Sequence, residues 1–181
     1  PVRSAIYRTL YEANGSCSKK ELAKRCGVSM PTLYQHLNEL MDLGLIRYID
    51  AWQSTGGRKA QKLDIIPDSR ISVGVSVNEN RLRFVAADLR LRELAYREKP
   101  FHVQACLNGN APKLAALLED FLNEASLDRS KLLGVCVTVP GLVSKDQHTL
   151  EFAPTLGVRN LPLTALLGSI PYPLNIDNDG S

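Results

Sequence analysis

The chain has 181 residues, 44% of them hydrophobic and 23% charged, a composition typical of a folded globular protein of one or two domains. This composition excludes wholesale disorder and a collagen-like structure. The longest apolar stretch, residues 132–143, is shorter than the roughly 20 residues that a membrane-spanning helix needs, and Pro140 and Gly141 interrupt it. No signal peptide opens the chain, so we expect a cytoplasmic protein without a membrane partner.

The basic residues are concentrated in the first third of the chain. Residues 1–66 contain ten Lys or Arg against six Asp or Glu, whereas residues 67–181 contain twelve against thirteen. A basic domain gains affinity for nucleic acid by displacing counterions from the phosphates. The asymmetry therefore hints at an anionic partner for the N-terminal domain, although a merely solvated basic face would have the same composition.

The four cysteines and three histidines form no recognisable catalytic or metal-binding pattern. No two cysteines are separated by the two-residue gap of zinc and redox motifs. The histidines, His36, His102 and His148, lie far apart in the sequence and are not paired with a nucleophile. We therefore expect reduced thiols, no catalytic residue, no cofactor and no bound metal.

Three helices are predicted in the first 45 residues. The first covers Val2–Ala13, where apolar residues recur at helical spacing. The second begins after Ser18, with Glu21 at the spacing of a capping box, and ends at Gly27. The third begins after Ser29, which is a favourable N-cap residue. Its buried stripe is predicted to contain Leu33, Leu37, Leu40 and Met41.

The second and third helices, joined by a short turn, have the arrangement of a helix-turn-helix motif. At about 100° per residue, the third helix turns its apolar stripe to the core and presents hydroxyl and amide groups on the opposite side. Gln35 can hydrogen-bond the edge of adenine, and Met30 or Pro31 can contact a thymine methyl group. The residues predicted to contact DNA from the two helices are Lys19, Lys20, Met30, Pro31, Thr32, Tyr34, Gln35 and Asn38. The alternative is a plain three-helix bundle with a polar outer face.

A basic hairpin is predicted to follow the third helix. Residues 45–50 and 60–66 alternate as strands, and the loop between them contains Gly57, Arg58 and Lys59. Glycine lets the backbone approach a surface, and the two cations can contact phosphates or a narrow minor groove. These three residues are therefore further candidate DNA contacts, whereas Tyr48 is interpreted as a packing group. The alternative is a basic loop that is only solvated.

A second domain is predicted to begin near residue 67, where the pattern changes from helical to extended. The predicted elements are strands at 71–77, 82–87 and 93–101, a helix from about 110 to 126, a buried strand at 133–139, a short helix at 163–167 and a strand at 174–176. The even hydrophobicity of the strand at 133–139 is typical of a central parallel strand that is buried on both faces. The predicted order is βββαβαβ.

Five segments of the chain resemble the ROK family, which contains sugar kinases and transcriptional repressors. They are residues 71–89, residues 134–143 with their final Pro-Gly turn, the loop Ala153-Pro154-Thr155-Leu156-Gly157, the segment Asp177-Asn178-Asp179-Gly180-Ser181 and the hairpin tip Gly56-Gly57-Arg58-Lys59. The resemblance implies an α/β fold, α+β overall. In it a winged helix-turn-helix domain at 1–66 precedes an actin-like, ribonuclease-H-like lobe at 67–181. It also implies that the second lobe of the actin-like domain is missing from these residues.

The chain departs from the kinases of that family at the first hairpin of this lobe. Where they have Asp-x-Gly-Gly-Thr, this chain has Ser76-Val77-Asn78-Glu79-Asn80. Glu79 adds negative charge where phosphates would lie, and side chains replace the glycines that admit them. ATP binding is therefore disfavoured, and we expect a repressor rather than an enzyme. The alternative is a sugar kinase with an accessory DNA-binding domain.

The resemblance implies that Gly141, Asn178 and Asp179 bind the hydroxyl groups of a sugar effector. One lobe of an actin-like domain offers at most half of a ligand site, and the alternative is that residues 177–181 are only an exposed end of the chain. The expected function is a sugar-controlled repressor of carbohydrate genes that binds a double-stranded DNA operator as a homodimer. A regulator that has lost its response to sugar is a third possibility.

Overall fold

The computed structural model describes residues 1–49 and 61–179. The chain divides into two compact units, Pro1–Ser69 and Arg70–Ser181. The boundary predicted after residue 66 falls close to this division, which comes after a short 3-10 helix at Pro67–Ser69.

The first unit contains three helices and a two-stranded sheet. These elements are α1 (Val2–Ala13), α2 (Lys19–Cys26), α3 (Met30–Asp42), β1 (Ile46–Ile49) and β2 (Lys62–Ile65). The two strands are antiparallel, with Ile46 opposite Ile65 and Tyr48 opposite Leu63. An isolated β-bridge joins Ser18 to Lys62 and so ties the start of α2 to the sheet.

Local capping explains where the helices of the first unit begin. The backbone N–H of Ser18 donates to the Glu21 carboxylate at 2.8 Å, and the N–H of Glu21 donates to the Ser18 hydroxyl at 3.4 Å, which completes the predicted capping box. Ser29 caps α3 by accepting from the Thr32 N–H at 3.3 Å. Gly27 ends α2 in the left-handed conformation that a tight turn to α3 requires.

The second unit is built around a five-stranded sheet. Its elements are β3 (Ile71–Val77), β4 (Arg81–Asp88), β5 (Glu93–Pro100), α4 (Val103–Leu107), α5 (Leu114–Glu124), β6 (Leu132–Val139), β7 (Leu142–Val143), β8 (Thr149–Ala153), β9 (Val158–Pro162), α6 (Leu163–Leu167) and β10 (Leu174–Asn178). The strand order is β10-β6-β3-β4-β5. Strands β3, β6 and β10 run parallel, whereas β4 and β5 pair antiparallel. The carboxyl ends of the parallel strands β3, β6 and β10 therefore lie at the same edge of the sheet.

One face of this sheet carries the core of the second unit. Val73, Val75 and Val137 are buried there among apolar residues of α5. The rings of Phe84 and Phe121 stack with their centroids 5.2 Å apart. The helices of the unit thus cover the face to which alternate strand residues point.

The opposite face differs from the sequence prediction at β6. Leu133 is 51% exposed and Cys136 is also exposed, although the even hydrophobicity of this strand predicts burial on both sides. The physical reason is that the described helices of this unit lie on a single face of the sheet.

Helix α4 and the three-stranded sheet β7-β8-β9 were not predicted. The strands of this small sheet are short, and β9 has no clear alternation of apolar and polar residues. Pairing across the Ser144–Thr149 turn, where the Ser144 N–H donates to the Thr149 carbonyl at 2.9 Å, stabilises them instead.

Gly141→Ala tests the close packing between the Pro-Gly turn and β8. Gly141 has a φ of 126°, and a Cβ there would overlap the Phe152 carbonyl oxygen and lie 2.8 Å from the Ala153 Cα. We expect a loss of about 2 to 4 kcal/mol in the free energy of unfolding, measured with urea. Gly109→Ala is the control, because Gly109 also has positive φ but has no atom within 4 Å of such a Cβ. Its expected loss is about 1 kcal/mol, and equal losses in the two variants would contradict the packing argument.

Candidate nucleic-acid interface

Burial of one stripe of α3 fixes which side chains it presents outward. Leu33, Leu37 and Leu40 are at most 3% exposed. Of the residues predicted to contact DNA, those exposed on the opposite side are Pro31, Tyr34, Gln35 and Asn38, and Met30 and Thr32 are partly exposed. The structure thus leaves all six predicted α3 residues at least partly exposed outside the buried stripe.

Thr32 has a structural role in addition to its partial exposure. Its hydroxyl lies 2.8 Å from the Ser29 hydroxyl, and its backbone N–H donates to the same oxygen. Because a hydroxyl has one proton and two acceptor lone pairs, this contact still leaves the Thr32 hydroxyl capacity for further hydrogen bonds. The N-cap therefore orients a side chain that faces outward from the first turn of α3.

The Gln35 side chain is held by Glu39 one turn further along α3. The Gln35 amide nitrogen donates to Glu39 Oε1 at 3.4 Å. Glu39 Oε2 in turn accepts from Arg3 Nη1 at 3.3 Å and lies 3.1 Å from Nδ1 of His36. Hydrogen bonding to His36, and secondarily to Gln35, lowers the pKa of Glu39 below its ordinary value. The contact with Glu39 leaves Gln35 one amide proton and its carbonyl oxygen, a donor and acceptor pair that matches adenine.

Lys19 is clamped between two aromatic rings from different elements. Its Nζ lies 4.9 Å from the centroid of the Tyr34 ring and 4.7 Å from that of Tyr48, within the range of cation–π attraction. Hydrogen bonding to Tyr48 raises the pKa of Lys19 above its ordinary value. Tyr48 is 41% exposed, and the sequence interpretation of it as a packing group missed this contact.

The first unit carries further exposed cations outside α3. The exposed basic residues on α2 and β1 are Lys20, Lys24, Arg25 and Arg47. Cations around a polar helix face suit a polyanion with readable edges, because the charges contact phosphates while the helix contacts bases. The predicted contacts Gly57, Arg58 and Lys59 lie outside the described residues.

The predicted sugar-binding residues lie at or near the edge where the parallel strands end. Asp179, Pro140, Thr155 and the turn at 78–81 line a cleft of about 680 Å³, at the position where ligands bind to sheets of this type. The Asp179 N–H donates to the Val139 carbonyl at 3.1 Å, which places Asp179 beside the end of β6.

Gly141 and Asn178 do not line this cleft. Asn178 is paired with Val139 in the sheet. Gly141 is pressed against the backbone of β8, which is a structural reason for glycine at this position. Of the three predicted sugar-binding residues, the structure brings only Asp179 into the lining of the cleft.

The charge of the cleft is unfavourable for a nucleotide. Glu79 and Asp179 contribute two carboxylates to its lining. The cation of the lining, Arg81, is paired with Glu98 at 3.3 Å. The Asn78 N–H donates to the Arg81 carbonyl at 3.0 Å, so Glu79 sits at the tip of a tight turn. The predicted repulsion of phosphates therefore has a structural basis in this turn.

Other classes of site were also sought in residues 1–49 and 61–179. That part of the chain holds no group of three or more His, Cys, Asp or Glu side chains suited to a metal ion. Within the same residues, every helix is too short or too polar to cross a membrane.

Comparison with known proteins gives matches over both units. Residues 1–49 match the family model described as a helix-turn-helix domain. The transcriptional dual regulator NagC of Escherichia coli is 25% identical over 91% of this chain and 40% of its own length. The xylose repressor of Bacillus subtilis is 24% identical over 93% of this chain and 44% of its own length.

A solved structure has the same fold over nearly the whole chain. It is a crystal structure of a ROK family transcriptional regulator described as a homolog of the E. coli MLC protein. The TM-score is 0.72 at 21% sequence identity, over 98% of this chain and 45% of the other. The chain thus spans less than half the length of these relatives, and the predicted fold and resemblance are confirmed.

The carboxyl group of Glu39 offers a test of the network around Gln35. His36→Leu removes the main cause of its lowered pKa, so we expect that pKa to rise toward its ordinary value in an NMR titration of the side-chain carboxyl carbon. Because the folded pKa is the lower one, this network stabilises the fold above the unfolded pKa, and the contribution is lost as the pH falls through the folded pKa. His148→Leu, in the other unit, is the control and should leave Glu39 unchanged. An unmoved Glu39 pKa in His36→Leu would show that the network is not formed in solution.

Proposed function

We propose that this chain, which is similar to ROK family repressors over both of its units, binds a specific DNA operator and represses genes of carbohydrate use. The observation that supports this most directly is the α3 surface. It presents amide, hydroxyl and aromatic groups, and Lys19 of α2 lies over the ring of Tyr34 on this helix. The names of the matched relatives, a transcriptional regulator and a xylose repressor, agree with this function.

In this proposal α3 lies in the major groove. Gln35 contacts an adenine with the amide groups that Glu39 leaves available. Thr32 and Asn38 contact neighbouring base edges or phosphates, and Met30 or Pro31 contacts a thymine methyl group. Arg58 and Lys59 contact the backbone or the minor groove beside this site, as the sequence predicts. Two copies of the chain then read the two halves of a symmetric operator.

A sugar is proposed to control this binding from the second unit. The cleft that Asp179 lines offers carboxylate and amide groups, which hydrogen-bond hydroxyl groups well. A sugar bound more tightly in one arrangement of the dimer shifts the population toward that arrangement and so changes its affinity for DNA. The complete sugar site would include the second lobe that the family resemblance implies.

The competing function is that of a sugar kinase with an added DNA-binding domain. Such an enzyme must hold ATP phosphates near the first hairpin of the lobe. Glu79 at the tip of this hairpin and Asp179 in the same cleft oppose that charge. We therefore propose a regulator without kinase activity. Sugar-dependent production of ADP from ATP by this chain would contradict the proposed absence of kinase activity.

Gln35→Ala tests base reading by α3. A preferred duplex is first selected from a randomised DNA pool with the unmodified chain, and affinity is then measured by fluorescence anisotropy against excess nonspecific competitor. Loss of a bidentate contact with adenine should cost about 1 to 3 kcal/mol on the preferred duplex and relax the selection at one base position. Gln104→Ala, in the second unit, is the matched control and should bind as the unmodified chain does. Failure to enrich any duplex from the pool would contradict the proposed function.

The sugar response is tested with the same selected duplex. We expect one monosaccharide of a panel to release the DNA, and xylose and N-acetylglucosamine are the first to try because relatives are named as repressors for these sugars. Asp179→Asn should weaken this release without changing the affinity for DNA in the absence of sugar. DNA binding that no sugar alters would indicate a regulator without a sugar response.

A further inference from the structure

We propose that Lys19, Tyr34 and Tyr48 form a preorganised phosphate site at the start of α2, and that this site anchors the DNA backbone beside α3. Tyr48 is assigned as the positioning residue that holds the ammonium group of Lys19. The proposal rests on the proposed function and adds to it a fixed anchor point and a role for Tyr48, which the sequence analysis interprets only as a packing group.

Three separate elements bring these side chains together. Lys19 is the first residue of α2, Tyr34 lies on α3 and Tyr48 on β1. The two rings stand 4.9 and 4.7 Å from Nζ, so the ammonium group has an aromatic neighbour from each of two elements. Tyr34 and Tyr48 are 43% and 41% exposed, which leaves the cluster open to a ligand from solvent.

The surrounding structure fixes this cluster in place. Ser18, which precedes Lys19, is bridged to Lys62 of β2 and is part of the capping box of α2. Tyr48 is held opposite Leu63 in the sheet, and Leu63 is fully buried. A free lysine side chain loses rotamer entropy when it is ordered. Because Lys19 is already ordered, less of this entropy remains to be lost when a phosphate binds.

The chemistry of the cluster matches an anion. A lysine ammonium group can only donate hydrogen bonds, so a tyrosine oxygen that bonds to it acts as the acceptor and keeps its own O–H proton. The N–H groups of Lys19 and the phenol O–H groups are thus hydrogen-bond donors, as an acceptor-rich ligand such as a phosphate requires. Among the described residues, no carboxylate forms an ion pair with Lys19 and competes for these donors.

The position of Lys19 at the start of α2 also favours an anionic ligand. Lys19 and Lys20 both lie in the first turn of α2, where the positive end of the helix dipole favours anions over cations. The acidic residue of that turn, Glu21, is directed back to Ser18 by the capping box. An incoming phosphate therefore relieves an unfavourable arrangement of positive charge that exists in the unbound protein.

The test measures affinity for the selected duplex and for a scrambled duplex as a function of salt concentration. Lys19→Met should weaken binding to both duplexes about tenfold and reduce the salt slope by about one. Tyr48→Leu should weaken both duplexes several-fold, because the ammonium group is no longer held, and Tyr48→Phe should recover part of that loss through its ring. Gln35→Ala, in contrast, should affect only the selected duplex and leave the salt slope unchanged.

A double-mutant cycle separates positioning from simple loss of contact. Tyr48→Leu should have little further effect in the Lys19→Met background but its full effect in the Lys20→Met background, because the neighbouring Lys20 is exposed and outside the clamp. Unfolding midpoints of all variants are measured alongside, and Tyr48→Phe preserves the packing of the ring. An unchanged salt slope in Lys19→Met, or equal effects of Tyr48→Leu in both backgrounds, overturns this proposal alone. A chain that binds no duplex at all overturns the proposed function and this proposal together.

Discussion

The burial of the leucine stripe of α3 is the constraint on which the outward, polar surface of this helix depends. Leu33 and Leu37 recur at i and i+4 and are essentially inaccessible to solvent, so α3 cannot rotate without exposing them. At about 25 cal/mol per Å² of apolar surface, such a rotation would cost several kcal/mol. The polar side of the helix is therefore fixed outward. The buried leucines thus determine the positions of Gln35 and Tyr34.

The second unit has a comparable constraint in its parallel strands. Strands β3, β6 and β10 must end at the same edge because they run parallel in adjacent positions. This geometry carries Asp179 and the turn at 78–81 to one cleft although about 100 residues separate them in sequence. The negative charge of that cleft depends on the residue type at one position, because Glu79 occupies a turn tip where a phosphate-binding loop has glycine.

Sequence patterns predicted the parts of the structure that short-range interactions determine. The capping box at Ser18, the N-cap at Ser29 and the glycine turn at Gly27 each act within four residues, and all three were predicted. The outward face of α3 followed from helical periodicity alone. The parallel strands of the second unit were also recognisable, because β3 and β6 are rich in β-branched residues.

Longer-range features could not be predicted in the same way. The clamp on Lys19 depends on Tyr48, which reaches it through the pairing of β1 with β2, and no local signal distinguishes this tyrosine from a packing group. The exposure of Leu133 depends on which face of the sheet the helices cover, whereas hydrophobicity along a strand reports only its composition. The contact between Gln35 and Glu39 differs from these features, because it is short-range and the i and i+4 spacing of the two residues in the sequence is a signal for it.

In the proposed function, Gln35 and Lys19 of the first unit contact different parts of the DNA. Gln35 is oriented by a carboxylate that Arg3 and His36 hold in place, which suits a contact whose value depends on exact angles. Lys19 is held by aromatic rings, which restrain its position but leave its charge unneutralised. An ion pair with a carboxylate would have ordered the lysine equally well, yet it would have cancelled the charge that attracts a phosphate. The carboxylate of Glu39 thus orients the Gln35 amide, whereas the aromatic neighbours leave the charge of Lys19 available for the proposed phosphate contact.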